Sequence, residues 1–480
     1  MEHLYDKLTE YGKSDFYPYH MPGHKRSMSA GMPVDMIQMD ITEINDFDNL
    51  HEPEGILKRL QERAAALYGA EESFYLVNGS TCGILSAISA AVSCGGHILM
   101  ARNCHKSVYH GVYLRNLKVT YLYPPMLEGY DICDAITPKQ VREALEREAD
   151  IEAVFLVSPT YEGRIADVET IAKVVHERGI PLIVDEAHGA HLGLAEGFAG
   201  NSNQAGADLV IHSVHKTLPA MTQTALLHVN GSRIDRERLR RFLHIYQSSS
   251  PSYVLMASID NALNIVEEKG CELFREFQHS YQAMLEELSH CRQLRFVSGD
   301  ERHQDIGKLV IDCREAGLTG QQLYRILLEK YHLQLEMAGG SYCLAMFTIA
   351  DGREAYERMT KALLEIDRQI EGGCSEGVSA SGATESLHKM TIMSASALPL
   401  TIAWDMPWEQ VELGAAVGRR VADFINLYPP GVPILVPGEV FSKEQYLQIR
   451  EYLEQGLKVQ GVSGDVEHYQ IKCIAGDMIN

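Results

Sequence analysis

A lysine in a polar turn between two apolar runs marks the stretch richest in chemistry. Residues 207–229 read ADLVIHSVHKTLPAMTQTALLHV, with one run at Asp208 to Ile211 and another from Thr224. His212, Ser213, His215 and Lys216 lie between them. Desolvation and neighbouring groups in such a setting lower an amine's pKa and make it a nucleophile. Asp185 ends another apolar run, PLIVD. A carboxylate buried at a strand end must be paired, and a protonated ring nitrogen is a suitable partner. Gly79, Ser80 and Thr81 place a glycine and two hydroxyls at a helix start, an arrangement that holds phosphate. Taken singly, each has a plain structural explanation: a surface lysine, a helix cap, a satisfied histidine at His105.

The elements that position these residues argue for a shared role. FYLV, HILMA, KVTYLYP, AVFLVS and PLIVD alternate with amphipathic helical stretches such as ILKRLQERAAALYG and DVETIAKVVHERG. That alternation predicts βαβ units, hence a mostly parallel sheet with helices on both faces. In such sheets ligands bind off the carboxyl ends of the strands. Asn78 to Thr81, Asn103 to Ser107, Ser158 to Tyr161, Asp185 to His188 and Ser213 to Lys216 all fall there. A reactive amine, an anion site, a flat His105 ring and a carboxylate for a ring nitrogen together suit pyridoxal 5'-phosphate (PLP). PLP needs its pyridine held cationic to act as an electron sink.

Composition narrows the alternatives. The 480 residues allow two to four domains, and the net charge of −22 argues against a nucleic-acid partner. Asp185-Glu186-Ala187-His188 spells the DEAH string of helicase-type ATPases, but no G-x-x-x-x-G-K-[ST] loop accompanies it. His188 with His191, and His20 with His24, lack the third ligand of a zinc site, so no metal is expected. Ten cysteines without a C-x-x-C pair suit reduced thiols. The polar N-terminus and the lack of a membrane-length apolar stretch make the cytoplasm the expected location.

These residues resemble the blocks of a known family. Ser213-Val214-His215-Lys216 with Thr222-Gln223 looks like the cofactor-attachment motif of the Orn/Lys/Arg decarboxylases. HMPGHKR, DNLHEPEG, NGSTCG, RNCHKS, SPTYEG, VDEAHGAH, SSSPSY, GLTG and YPPGVPILVPGE are similar to that family's blocks, in its order. The resemblance spans nearly the whole chain and is closest to the short branch, without an added N-terminal receiver-like domain. It implies the α/β type I (aspartate-aminotransferase-like) PLP fold, with smaller α+β C-terminal domains.

The resemblance also implies roles. Lys216 would bind PLP covalently, Asp185 would pair with its ring nitrogen, and His105 would stack on its face. His188 would sit near the phenolic oxygen. Ser80, Thr81 and Ser213 would hold the phosphate, with Ser248 reaching the partner subunit's site in a homodimer or higher homo-oligomer. His215 would guide proton return, and Glu439 would contact the substrate's distal cation. The implied reaction is decarboxylation of arginine, lysine or ornithine, for polyamine biosynthesis. An aminotransferase or aldolase, or a non-catalytic regulator of the same fold, remains an alternative. The expected divisions are an arm (1–50), a PLP domain (51–300), a small α+β domain (301–370), a Gly/Ser-rich linker (371–388) and a C-terminal domain (389–480). The acidic stretch 39–55 reads either as a solvated arm or as carboxylates presented to a cation.

Overall fold

A computed structural model describes residues 2–14, 34–372, 397–428, 431–466 and 468–476. The HMPGHKR block, with His20 and His24, and most of the expected linker lie outside the described residues.

Helices α1 (Leu4–Lys13), α2 (Val34–Met39) and α3 (Ile56–Tyr68) come first. The alternation follows: β1 (Glu72–Leu76), α4 (Gly79–Ala91), β2 (His97–Ala101), α5 (Lys106–Arg115), β3 (Lys118–Leu122), α6 (Pro138–Arg147), β4 (Ile151–Val157) and α7 (Val168–His176). Then come β5 (Leu182–Asp185), β6 (Leu209–His212), the short α8 (Val214–Thr217), β7 (Ala225–Val229), α9 (Arg236–Tyr246) and α10 (Tyr253–Leu288). Beyond them lie β8 (Arg295–Phe296), β9 (Lys308–Asp312), α11 (Gly320–Tyr331), β10 (Met337–Ala338), β11 (Tyr342–Met346) and α12 (Arg353–Glu371). The last stretch holds α13 (Leu400–Ala403), β12 (Trp408–Glu412), β13 (Ile425–Leu427), β14 (Pro433–Leu435), α14 (Lys443–Glu454), β15 (Val459–Gln460), β16 (Val462–Ser463) and β17 (Gln470–Ile474).

Local chemistry sets many of these bounds. Thr137, Thr319 and Ser442 open α6, α11 and α14 with reciprocal capping boxes to Gln140, Gln322 and Gln445. Gly69 ends α3 in the left-handed region, at φ 67°. Every residue of β2, β5, β6 and β7 is buried, as for strands covered on both faces.

The chain divides into two compact units that interleave along the sequence. One holds Met1–Ser93, Ile151–Ser158 and Asp167–Glu276; the other holds Cys94–Asp150, Pro159–Ala166 and Phe277–Asn480. In the first unit the strands run in the order β1, β7, β6, β5, β4. β4, β5 and β6 are parallel, and β7 runs antiparallel to both β6 and β1. The second unit contains the parallel pair β2 and β3, and the antiparallel sheet β10, β11, β9, β8. It also carries two small sheets, β12-β17-β16 and β14-β13-β15. Leu413, Val421, Ile425, Leu435, Phe441 and Ile449 form a core there. No helix among the described residues is long and apolar enough to cross a membrane.

Candidate active site

In the first unit, strand ends bring together six of the expected site residues. β6 ends at His212; Ser213 follows with extended backbone, and α8 carries His215 and Lys216. The Lys216 Nζ lies 3.1 Å from Nε2 of His188, in the turn after β5. Asp185, the last residue of β5, is 5% exposed. Its Oδ1 accepts the Ala187 N–H at 3.1 Å. Burial holds the Asp185 carboxyl above the usual carboxylate range, opposed by the Lys216 charge and the Ala187 hydrogen bond. The Ser80 and Ser213 hydroxyls are 2.6 Å apart, joining the first turn of α4 to the end of β6.

α4 starts two residues earlier than a Ser80 cap would place it, and three earlier than a Thr81 cap would. Asn78 is the N-cap, makes no side-chain capping bond, and Gly79 is the first helical residue at φ 71°. The Gly79 N–H donates to the Gln223 carbonyl at 2.9 Å, tying the loop after Lys216 to this helix start. Ser80 is half-buried and Thr81 exposed in the first turn. The Ser248 N–H reaches Asn78 Oδ1 at 3.5 Å, while the Ser248 hydroxyl donates to the Ser250 carbonyl at 3.1 Å.

His215 has a defined tautomer. Its Nδ1 lies 2.8 Å from the Thr224 carbonyl, which only accepts, so Nδ1 carries the proton and Nε2 is the basic nitrogen. Burial and the adjacent Lys216 hold its pKa below the usual histidine value, against the raising effect of the Thr224 bond.

His105 and Glu439 belong to the second unit. His105 is the N-cap of α5, and its Nδ1 accepts the Ser107 N–H at 3.2 Å, leaving the proton on Nε2. Gly431, at φ 79°, borders this ring: a Cβ there would stand 3.4 Å from Cδ2 and Nε2 of His105. Glu439 is 5% exposed, and its carboxylate faces Arg102 at 3.0 Å and accepts the Val436 N–H at 2.9 Å. Arg102 also donates to the carbonyls of Pro433 and Ile434. The carboxylate expected near a substrate cation is thus engaged by a cation of its own chain. Sequence reading assigned no role to Arg102, whose only local signal was that it opens the RNCHKS block.

The donor set fits PLP. The half-buried Ser80 hydroxyl and the buried Ser213 hydroxyl meet at a helix start that no side chain caps, as a phosphate requires. A buried carboxylate with a raised pKa calls for a cation, which a ring N–H supplies. Lys216 would supply the amine that holds the cofactor.

Comparison with known proteins agrees with this geometry. Residues 2–302 match the major domain of the Orn/Lys/Arg decarboxylases, and residues 381–473 match that family's C-terminal domain. The chain is 33% identical over 468 residues to the uncharacterised protein YaaO of Bacillus subtilis, covering 95% of each. It is 29% identical to an arginine decarboxylase of the same organism, covering 97% of this chain and 96% of the relative. Among solved structures, lysine decarboxylase A from Pseudomonas aeruginosa superposes with a TM-score of 0.81 at 21% identity, covering 98% of this chain and 80% of that one. A structure of serine palmitoyltransferase with PLP shares the fold at a TM-score of 0.54 and 13% identity, covering 77% of this chain and 83% of that one. Near-full-length matching to both domains, on an α/β type I PLP fold, leads to one assignment. The chain belongs to the Orn/Lys/Arg decarboxylase family, and it is a decarboxylase, a PLP-dependent carboxy-lyase.

Proposed function

We propose that the protein decarboxylates a basic L-amino acid (arginine, lysine or ornithine) to its amine and CO2, with PLP as cofactor, in polyamine biosynthesis. The observation that carries this reading is Lys216 beside His188, close enough to the buried Asp185 for its charge to act on that carboxyl. Full-length relatives named arginine decarboxylase support the substrate class. When bound, PLP supplies an electron sink for the pair released as the carboxylate leaves.

The chain's residues do the rest. Lys216 would hold the cofactor through its amine. Asp185 keeps the proton on the ring nitrogen. Ser80, Thr81 and Ser213 hold the phosphate, and Ser248 serves the partner subunit's site in a cytoplasmic homodimer. His105 would stack on the cofactor ring, as the family resemblance implies, and His188 would hold the Lys216 amine. Nε2 of His215 returns a proton to the carbon that lost CO2. Glu439 acts through Arg102, which fixes the backbone at Pro433 and Ile434.

Incubation with a panel of amino acids tests the reading. One of arginine, lysine and ornithine should yield CO2 and the matching amine, with no amino transfer to a keto acid. Borohydride should trap the cofactor on wild-type protein and not on Lys216→Ala. Amino transfer without CO2, or a wild-type protein that traps no cofactor, overturns the proposal.

A further inference from the structure

A line of buried polar groups starts beside Asp185 and leads away from the Lys216 turn. The Glu186 Oε2 lies 2.6 Å from Nε2 of His212. Nδ1 of His212 lies 3.0 Å from Nε2 of His228, and Nδ1 of His228 lies 2.6 Å from the Ser73 hydroxyl. All four residues are at most 2% exposed. At the near end Glu186 Oε1 accepts the Ser202 hydroxyl at 2.7 Å. At the far end Ser73 lines a cavity of about 650 Å3. The chain connects β5, β6, β7 and β1 through residues that the reaction itself does not use.

Proton counting gives this line two self-consistent arrangements. Each neutral imidazole donates from one nitrogen and accepts at the other. With Glu186 ionised, Ser73 donates to His228, His228 to His212 and His212 to Glu186. With Glu186 protonated, every link reverses: Glu186 donates to His212, His212 to His228, and His228 to Ser73. The arrangements differ by one proton, and both rings change tautomer together.

We propose that Glu186, His212, His228 and Ser73 form a single-proton relay, and that Glu186 and His212 are positioning residues for Asp185. The proton on the relay decides whether a second negative charge stands beside the Asp185 carboxylate. With Glu186 neutral, that repulsion is absent and Asp185 alone carries the charge that a ring N–H needs.

The surroundings favour the neutral relay near neutral pH. Burial raises Glu186 to about 8, against the Ser202 hydrogen bonds and the influence of His191. Burial lowers His212 to about 3, aided by His191, and lowers His228 well below its usual value, aided by His212. The Glu186–His212 contact is therefore a neutral hydrogen bond, since a buried ion pair would bear a large desolvation cost. Tyr68 from α3 packs on the His212 and His228 rings, with centroids 4.7 and 4.9 Å away, and its hydroxyl donates to the Ala190 carbonyl. Asp185, His191 and Tyr68 act on the relay from outside it at the Glu186 end, with Lys216 acting on Asp185, and Lys58, Glu62, Glu71, Glu72, Arg236 and Arg240 line the cavity at the Ser73 end.

The coupling to catalysis rests on the functional reading of Asp185; the relay does not. Protein labelled with 15N in its histidine rings should be titrated from neutral to alkaline pH. His212 and His228 should exchange Nδ1–H for Nε2–H with one shared midpoint near 8. Glu186→Gln, which has no titratable proton, should hold both rings in one tautomer throughout. Rings that change separately, or not at all, overturn the relay, and the wild-type titration decides this even where the variant fails to fold. In the holoenzyme the cofactor absorbance should show a step at the same midpoint, lost in Glu186→Gln. A relay that switches without that step overturns the positioning role. A protein that takes up no cofactor overturns the functional reading, while the ring titration still decides the relay.

Discussion

Asp185 is held where a carboxylate is costly, and its site must return that cost through a bound cation. Burial raises its pKa, so the folded protein holds this proton more tightly than the unfolded chain. For an acid with a raised folded pKa, stability falls as pH rises from the usual carboxylate value, about 3.9, through the folded value. Cofactor-free Asp185→Asn should therefore unfold at a higher temperature than cofactor-free wild type at neutral pH. Its decarboxylation rate should be lower by about 10²–10³-fold, the usual loss for one preorganised electrostatic group. A variant less stable than wild type, or one still active, would contradict this account.

Asp48 shows the opposite sign. Burial raises its pKa, but backbone N–H groups of Glu54, Asn49, Gly55 and Lys58 outweigh that and leave it lowered. Its Oδ2 also accepts the Leu57 N–H at 3.0 Å, so it caps α3 from outside the helix. This contribution is present above the unfolded carboxylate value and is lost as pH falls through the lowered folded one. Asp48→Ala should cost about 1–2 kcal/mol in urea unfolding at neutral pH, with a smaller deficit in acid.

At the scale of elements, the Arg102–Glu439 pair joins the end of β2 to the strand β14 and the turn after it. Arg102 is 2% exposed and bonds the Pro433 and Ile434 carbonyls as well as Glu439. Removing one partner of a buried pair leaves an uncompensated charge, at about 3–5 kcal/mol. Glu439→Ala should therefore lower Tm strongly, and the double variant with Arg102→Met should recover part of the loss. A raised KM at unchanged Tm would instead put Glu439 on the substrate. The pair was not legible in the sequence because its members are 337 residues apart. Lys216 and Asp185 were legible because a polar residue ending an apolar run is a local pattern. The carboxylates of 39–55 were read as a solvated arm or a cation surface. Asp48 turned out to be a helix cap, because its acceptors' partners are set by how the chain folds back.

For the whole molecule, the net charge of −22 sets a field that attracts a cationic amino acid. Salt screens such a field over about 8 Å at physiological strength. The kcat/KM for the preferred basic amino acid should fall with added salt while kcat stays level. An unchanged kcat/KM would show that the field does not steer the substrate.

The sequence by itself determined the alternation of strand and helix and the strand-end positions of Lys216, Asp185 and Ser80. Both rest on local patterns in the chain. Tertiary structure alone decided that β7 runs against its neighbours, that Asn78 rather than Ser80 precedes α4, and that Glu439 faces Arg102. It alone aligned Glu186, His212, His228 and Ser73, which come from four strands or their ends. Pairing between distant residues depends on the path of the chain, and no local pattern encodes that path.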